Sequence, residues 1–354
     1  MRIAQVAPLA ESVPPKLYGG TERVVSWLTE ELVASGHDVT LFASGDSATS
    51  AALVPVWPRA TRLSRPPPDP HLVYAALLER LAAMAARFDV IHCHIGWLHL
   101  PLLRRLGGPF LTTLHGRLDL PHLATTLESF GDAPFVSISD NQRVPAPGLH
   151  WLGTVYHGLP PALLKPSLAA NGSLAFLGRM TPDKGPEVAI RLARAAGRRL
   201  RIAAKIPRGE NRYFKTRIEP LLEGRNVEFL GEVDEAGKQE FLGQAAALLF
   251  PIDWPEPFGL VMIEAMACGT PVIALRRGSV PEIIEDGVTG FVVDSEEEAL
   301  AAIGRVDQLD RRGVRAAFER RFTAGRMAAD YVALYERLVG QGRPAPVQNQ
   351  TALA

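Results

Sequence analysis

Residues 178–185 read Gly-Arg-Met-Thr-Pro-Asp-Lys-Gly, and residues 256–264 read Glu-Pro-Phe-Gly-Leu-Val-Met-Ile-Glu. The second stretch carries two carboxylates, Glu256 and Glu264, separated by seven residues. From residue 259 to 268 the chain is apolar on every side except at Glu264, and a helix that is apolar all round is normally buried. Because an unpaired buried carboxylate is costly, Glu264 must meet a cation or accept hydrogen bonds. Together the two stretches predict a site that binds a diphosphate and sugar hydroxyls.

Around these stretches, short β-branched or apolar runs alternate with helical patterns. In the first half, the predicted strands are 3–7, 39–43, 90–94, 110–115 and 135–138. A second series comprises 174–177, 201–204, 227–230, 247–250 and 272–274. Alternation of this kind predicts α/β units, each with a mostly parallel sheet covered by helices on both faces.

The length of 354 residues favours two domains, each large enough for its own core. We predict an N-terminal domain over 1–158, a linker over 159–172, a C-terminal domain over 173–322, a helix over 323–340 and a flexible tail over 341–354. Open α/β sheets bind ligands at the carboxyl ends of their strands. Arg179 follows one predicted strand and Glu256 follows another, so both motifs are expected at such an end.

On these motifs the chain resembles the family 4 retaining glycosyltransferases of the GT-B fold, over about residues 1–340. The resemblance implies two Rossmann-like domains whose parallel sheets face each other across a deep cleft, with the C-terminal helix packed back on the N-terminal domain. It also implies that Glu256 and Glu264 bind the donor sugar and the ribose, while Arg179 and Lys184 hold the diphosphate. The N-terminal domain would face the acceptor and the C-terminal domain the donor.

One departure from the family pattern falls at residues 274–282. Many relatives have paired glycines there before a Pro-Glu, whereas this chain reads Arg-Arg-Gly-Ser-Val-Pro-Glu over 276–282. The departure leaves the residues expected at the donor site in place.

Backbone groups complete the predicted donor site. Free amides at Phe258, Gly259 and Leu260, where a helix begins, can bind sugar hydroxyls or phosphate oxygens. Gly19 and Gly20 open another helix, whose N-terminus favours an anion. Backbone around Val233 is expected to meet the base. Structural roles compete with each assignment: helix capping for Glu256, a loop-to-helix turn for Gly19 and Gly20, and an ion pair with a neighbouring acid for Arg179 and Lys184.

Four residues of the N-terminal domain are further candidates. His115 ends a predicted strand, and the resemblance places a histidine at this position near the transferred sugar; a buried core histidine is the alternative. Arg117, Ser139 and Asp140 are assigned to the acceptor side, with turn formation as the alternative for Ser139 and Asp140.

The sequence lacks the features that several other classes of protein require. The balance of 38 basic and 38 acidic residues argues against a nucleic-acid protein. No Gly-x-Ser-x-Gly elbow or Walker loop is present, and the N-terminal glycines do not follow Gly-x-Gly-x-x-Gly. His92-Cys93-His94 suggests a metal site, but no third and fourth ligand stands at a recognisable spacing. We therefore expect no metal and no cofactor.

Location and partners are less constrained by the sequence. Cys93 and Cys268 form no disulfide framework, which favours a reducing, cytoplasmic setting. Residues 2–7 predict a strand rather than a secretory segment, and no run of 18 apolar residues follows. The arginine pairs at 311–312 and 320–321 are expected on solvated helix faces, with peripheral contact to anionic lipid as the alternative. Nothing in the sequence indicates the oligomeric state.

The function implied by the resemblance is transfer of a sugar, with retention, from a UDP-, GDP- or ADP-type donor to an acceptor hydroxyl. A sugar, a lipid or another small molecule would be the acceptor, in glycan, glycolipid or natural-product glycoside synthesis. Two rivals remain at this point: a sugar-nucleotide epimerase of related fold, and a sugar-nucleotide-binding protein without catalysis.

Overall fold

A computed structural model of the chain describes residues 1–340 apart from Leu17, Tyr18 and Arg225. The tail predicted over 341–354 lies outside the described residues. Two compact units are present: the first comprises Met1–Gly158 together with the segment that begins at Ala324, and the second comprises Leu159–Thr323.

The first unit is built on one parallel sheet of seven strands in the order β3-β2-β1-β4-β5-β6-β7. Its strands are β1 (Arg2–Val6), β2 (Asp38–Ser44), β3 (Ala52–Trp57), β4 (Val90–Cys93), β5 (Phe110–Thr113), β6 (Phe135–Ser137) and β7 (Trp151–Thr154). Its first four helices are α1 (Gly20–Ala34), α2 (Pro70–Met84), α3 (Leu100–Leu106) and α4 (Leu123–Glu128). Strands β1, β4, β5 and β6 are almost wholly buried, as expected for a sheet with helices on both faces.

The second unit has a parallel sheet of six strands in the order β10-β9-β8-β11-β12-β13. Its strands are β8 (Leu174–Arg179), β9 (Leu200–Lys205), β10 (Val227–Gly231), β11 (Ala247–Phe250), β12 (Val272–Leu275) and β13 (Gly290–Val293). Its helices are α5 (Pro186–Ala195), α6 (Asn211–Tyr213), α7 (Glu235–Gly243), α8 (Leu260–Ala267), α9 (Val280–Ile283), α10 (Glu296–Ile303) and α11 (Arg311–Arg321). The last helix, α12 (Ala324–Gly340), belongs to the first unit.

The predicted α/β architecture with parallel sheets is confirmed, and a strand is present at each predicted run. The patterns missed β3, β7 and β13, which are all edge strands. Two of them are only partly buried and carry a residue that weakens a strand pattern, Pro55 in β3 and Gly153 in β7. The third, β13, begins at Gly290, and glycine is depleted in strands.

Helix α12 and the residues before the second sheet have defined places. Within the first unit, α12 packs on α1 and β4, and Arg326 donates to the Tyr156 carbonyl at 2.6 Å. Residues 159–172, predicted as a linker, lie in the second unit and are tied to it by backbone hydrogen bonds. Ser167 N donates to the Cys268 carbonyl at 2.9 Å, for example.

The expectation of solvated arginine faces on α11 is wrong for two of its arginines. Arg311 donates to the carbonyls of residues 167, 243 and 245 and to the hydroxyl of residue 270. Arg321 donates to the carbonyls of residues 282 and 283 and pairs with Glu285 at 3.0 Å. Because buried carbonyls need donors, these guanidinium groups serve the packing of the second unit. Among the described residues, no helix combines the length and apolar character that a membrane crossing requires.

Candidate active site

The second sheet places the two sequence motifs at its topological switch point. From β8 the chain continues to β9 and β10 on one side, and it then crosses to β11 on the other side of β8. The connections that follow β8 and β11 therefore lead in opposite directions, which makes this the switch point of the sheet. Arg179 is the last residue of β8, and Glu256 lies in the loop that follows β11. This is the edge at which parallel α/β sheets bind ligands, as the sequence predicted.

The two loops are in direct contact. Gly185 has φ of +67°, and a Cβ atom there would lie 2.1 Å from the Pro251 carbonyl oxygen. Asp253 N also donates to the Asp183 carbonyl at 3.0 Å. Only glycine permits both this conformation and this approach, which explains the glycine that closes the first motif.

Lys184 and Glu256 form an ion pair in which both side chains are largely buried. The ammonium also lies over aromatic rings, 4.4 Å from the Trp254 centroid and 5.9 Å from that of Phe250. Cation–π attraction strengthens when the cation is desolvated, so this cage orients the lysine. The sequence singled out the lysine and the glutamate but did not indicate that they pair with each other.

Arg179 is less constrained than Lys184. Its Nη2 lies 3.8 Å from Asp183 Oδ2, and the side chain is partly exposed. Its Nε is buried without a hydrogen-bond partner among the described residues, and Thr181 Oγ1 is in the same position. Buried polar atoms without partners are uncommon in folded proteins, so these two atoms are candidates to bind a polar group beside the loop.

Glu264 meets the cation that its burial required. Lys238 Nζ donates to Glu264 Oε1 at 2.7 Å and to Glu235 Oε1 at 3.2 Å. Sequence reasoning missed Lys238, although Asp234 is an N-cap signal that places the lysine in the first turns of α7. Val233 directly precedes that cap and is partly buried.

Gly278 lies in the segment 276–282, which departs from the family pattern, and it contacts the loop of Glu256. Gly278 has φ of +54°, and a Cβ atom there would lie 2.4 Å from both Glu256 N and O. Ser279 N donates to the Glu256 carbonyl and its Oγ donates to the Phe258 carbonyl, both at 2.9 Å. Gly259, with φ of +81°, then caps α8, which begins at Leu260. The segment 276–282 therefore braces the predicted donor site.

In the first unit, His115 follows β5 and belongs to a group of histidines. Its Nε2 lies 2.8 Å from His94 Nδ1, and its ring stacks on His157 with centroids 5.2 Å apart. Burial lowers the pKa of His115 to about 3, so the ring is neutral near pH 7. Its Nδ1 is buried and has no partner among the described residues.

The pair His92 and His94 does not form a metal site with other side chains. His92 bonds Tyr335 and Thr113, both at 2.7 Å, and His94 bonds Gln5 and His115, both at 2.8 Å. Across the described ranges, no group of three or more His, Cys, Asp or Glu residues is disposed to hold a metal ion. Metal independence of the reaction stays a prediction.

The predicted acceptor residues of the first unit are engaged locally. Arg117 forms two hydrogen bonds of 2.6 Å with Asp119. Ser139 Oγ accepts from Gln142 N at 3.2 Å, and Asp140 accepts from the Thr154 hydroxyl. These contacts match the turn alternative for residues 139–140, and the acceptor role stays a prediction.

Gln142 is a residue that the sequence did not indicate. Its Nε2 donates to the Leu114 carbonyl at 2.8 Å and to the Gly116 carbonyl at 2.7 Å. These carbonyls flank His115 on both sides, so Gln142 fixes the backbone of that histidine. A lone glutamine after a strand carries no recognisable signal in a sequence.

Gly19 and Gly20 open α1 beside two buried carboxylates. A Cβ atom on Gly19 would lie 3.0 Å from Glu22 Oε2 and 3.2 Å from Glu11 Cγ. Arg62 pairs with Glu11 at 2.7 Å, and burial is the main cause that raises the pKa of Glu22. Negative charge at this helix N-terminus weakens the electrostatic case for a phosphate there, and the predicted role of the two glycines is untested.

Comparison with known proteins identifies the class. Residues 18–140 match the family model described as Glycosyltransferase Family 4, and residues 171–311 match the model described as Glycosyl transferases group 1. With two parallel-sheet units, the protein is a glycosyltransferase of the GT-B fold. Within that class the chain belongs to the family 4 glycosyltransferases, as the resemblance implied.

Individual relatives cover nearly the whole chain. The phosphatidyl-myo-inositol mannosyltransferase of Mycobacterium leprae is 27% identical over 98% of this chain and 100% of its own. AviGT4, a glycosyltransferase involved in avilamycin A biosynthesis, is 25% identical with a TM-score of 0.72, covering 97% of this chain and 99% of its own. Anabaena HepE in complex with UDP, at 20% identity, shares the fold with a TM-score of 0.74, covering 95% and 100%.

Gly278→Ala is expected to destabilise the second unit more than Gly287→Ala. Both glycines have positive φ, +54° and +73°, but only at Gly278 would the new Cβ atom collide with neighbouring backbone. Gly287→Ala should therefore cost about 1 kcal/mol of conformational strain, and Gly278→Ala that amount plus a clash against Glu256. Urea unfolding of both variants measures the difference, and equal losses of stability would contradict the close contact.

The protein is expected to lose stability as the pH falls below about 6.5, the ordinary pKa of histidine. Burial lowers the pKa of five core histidines, with that of His99 at about 3, so between pH 6.5 and 3 the unfolded chain binds protons that the folded chain does not. They are His92, His94, His99, His115 and His157. Each adds a slope of up to about 1.4 kcal/mol per pH unit. Urea unfolding between pH 7.5 and 5 should show less dependence in His99→Gln, whereas His71→Gln, which alters an exposed ring, should retain it.

Proposed function

We propose that this glycosyltransferase transfers a sugar, with retention, from a nucleoside diphosphate sugar to an acceptor hydroxyl. The observation that carries the proposal is the cluster at the switch point of the second sheet, where Arg179 and Lys184 lie on a loop that touches the loop of Glu256. HepE, which shares this fold, forms a crystalline complex with UDP, so a nucleotide is an appropriate ligand to test.

The cations of this cluster are suited to a diphosphate. An ammonium group has three donors, so Lys184 can keep its bond to Glu256 while another N–H meets a phosphate oxygen. Arg179 contributes an Nε without a partner in the described part of the chain. At about 4 Å and an effective dielectric near 20, each charge pair is worth about 4 kcal/mol before desolvation.

The carboxylates are suited to hydroxyl groups. Lys238 engages Oε1 of Glu264, which leaves Oε2 to accept from a ribose hydroxyl. Glu256 similarly offers its second oxygen to the donor sugar. Because each carboxylate is already held by a lysine, its position is preorganised before a ligand binds.

In the proposed reaction the bond between the anomeric carbon and the diphosphate oxygen breaks, and the acceptor oxygen bonds to that carbon from the same face. The acceptor's proton passes to the departing diphosphate, whose negative charge Arg179 and Lys184 stabilise. The protein then acts by positioning and electrostatics, with no protein nucleophile. This is the retaining route that the family resemblance implied.

Calorimetric titration with UDP-, GDP-, ADP- and dTDP-sugars tests the donor. We expect one nucleotide to bind and Glu264→Ala to lose at least tenfold in affinity for it, since a hydrogen bond to a charged group contributes about 1.5–3 kcal/mol. Glu296→Ala, an exposed carboxylate in the same unit, is the matched control and should bind normally. Absence of binding by all four donors would refute the proposal.

Arg179→Ala and Lys184→Ala are each expected to weaken binding of the same nucleoside diphosphate by about 10-fold or more, because each removes a charge-assisted hydrogen bond. Turnover should fall by about 100-fold or more once an acceptor is found. Arg191→Ala, which breaks an exposed pair with Glu296, controls for loss of a surface arginine. Normal affinity and turnover in both site variants, with the fold intact, would remove these residues from the mechanism.

The acceptor screen also separates the rival functions. The relative from Mycobacterium leprae is a phosphatidyl-myo-inositol mannosyltransferase. Polyols and lipid-linked polyols are therefore the first acceptors to test. A sugar-nucleotide epimerase would release an isomeric sugar nucleotide without any acceptor. A binding protein would retain the donor unchanged in every mixture.

A further inference from the structure

A continuous buried hydrogen-bond network crosses the core of the first unit and ends at His115. Gln5 on β1 is its branch point: the side-chain Nε2 donates to Tyr335 of α12 at 3.1 Å, and Oε1 faces His94 Nε2 at 2.8 Å. One branch continues from Tyr335 to His92, at 2.7 Å. The other continues from His94 to His115, at 2.8 Å.

The network determines where each proton lies. Gln5 Oε1 can only accept, so His94 Nε2 carries a proton. Burial keeps the pKa of His94 well below its usual value, so the ring is neutral and its Nδ1 accepts from His115. His115 therefore carries its proton on Nε2, and its Nδ1 presents a lone pair.

The second branch is consistent with this orientation of Gln5. The Tyr335 hydroxyl accepts from Gln5 and donates to His92 Nδ1, so His92 donates from Nε2 to Thr113 Oγ1 at 2.7 Å. Thr113 Oγ1 in turn lies 2.9 Å from the Tyr331 hydroxyl. Reversal of the whole network would leave a buried N–H at His115 without an acceptor, which is rarer in folded proteins than an unpaired acceptor.

The His115 ring is also fixed from its other sides. His157 stacks on it with an interplanar angle of 19°, and Gln142 donates to the carbonyls on either side of it. Within the part of the chain that the structure describes, Nδ1 is the one ring nitrogen of His115 without a partner. A held ring with one free acceptor is suited to receive a hydrogen bond from a ligand.

We propose that Gln5 and His94 are positioning residues that hold His115 in its Nε2–H tautomer, so that Nδ1 accepts a hydrogen bond from a hydroxyl of the transferred sugar. The contact with a sugar hydroxyl is what the resemblance implied for His115, and it rests on the proposed function; the tautomer and its two positioning residues are the new inference and do not depend on it. The His-x-His pattern of β4, which suggested a metal in the sequence, thus serves hydrogen bonding: His94 sets the tautomer and His92 completes the network.

Nitrogen-15 NMR of histidine-labelled protein tests the tautomer directly, because protonated and bare ring nitrogens differ in chemical shift. The His115 signals are assigned by their absence in His115→Gln. We expect Nε2 protonated and Nδ1 bare in the ligand-free wild type. A proton on Nδ1 would overturn the proposal, and this measurement needs no other variant to fold.

Gln5→Met tests the positioning role, since it keeps the side-chain size and removes the acceptor for His94. We expect His115 to become a mixture of tautomers and kcat to fall about tenfold with little change in donor KM. Thr112→Val is the matched control: it deletes the 2.6 Å hydrogen bond to His99 in the same core and should leave the His115 signals unchanged. Unchanged His115 signals in a folded Gln5→Met protein would overturn the proposal.

Titration with the nucleotide sugar that binds by calorimetry tests the ligand. The Nδ1 signal of His115 is expected to shift on addition of the sugar nucleotide and to stay in place with the nucleoside diphosphate alone. An unmoved Nδ1 signal in the sugar-nucleotide complex would overturn the hydroxyl contact. If the proposed function is wrong, no sugar nucleotide binds in the calorimetric titration. The tautomer of His115 is still measured in the ligand-free protein, so the two proposals fail separately.

Discussion

Burial of a carboxylate next to a lysine is the constraint on which the candidate donor site depends. Glu264 is almost fully buried in α8, and Lys238 makes that burial tolerable. The pairing ties α7 to α8, just as the pair of Lys184 and Glu256 ties the loop after β8 to the loop after β11. Loss of either partner would leave an uncompensated charge in a low-dielectric site, which is far more costly than loss of a surface pair. The packing of this region and the proposed donor binding therefore depend on the same four side chains.

The sequence predicted the positions of strands better than it predicted which side chains contact each other. Central strands such as β8 and β11 are apolar runs of strand length, and their pattern is visible without a structure. Edge strands β3 and β7 face solvent in part and lack that pattern. Burial of Glu264 followed from the apolar helix around it, but the choice of Lys238 depends on how α7 docks, which residue spacing does not encode.

The histidines show the same limit. His92 in β4 and His94 directly after it point to the same side, and their ring centroids lie 3.9 Å apart. The sequence did not show which groups these histidines bind, because Gln5 lies 89 positions before His94 and Tyr335 comes from the last helix. Metal ligation and hydrogen bonding place the same demands on a local pattern, and only the surrounding donors and acceptors separate them.

Both units use the switch point of their sheets in the same way but with different chemistry. In the first unit β1 and β4 flank that point, and the neutral network of Gln5, His92 and His94 lies on these strands and directly after β4. In the second unit β8 and β11 flank it, and their loops carry charged pairs. A neutral histidine can accept from a hydroxyl without attracting an anion, whereas lysine and arginine are suited to an anionic group. The two switch points therefore differ in the chemistry that each can meet, neutral hydroxyls in the first unit and anions in the second.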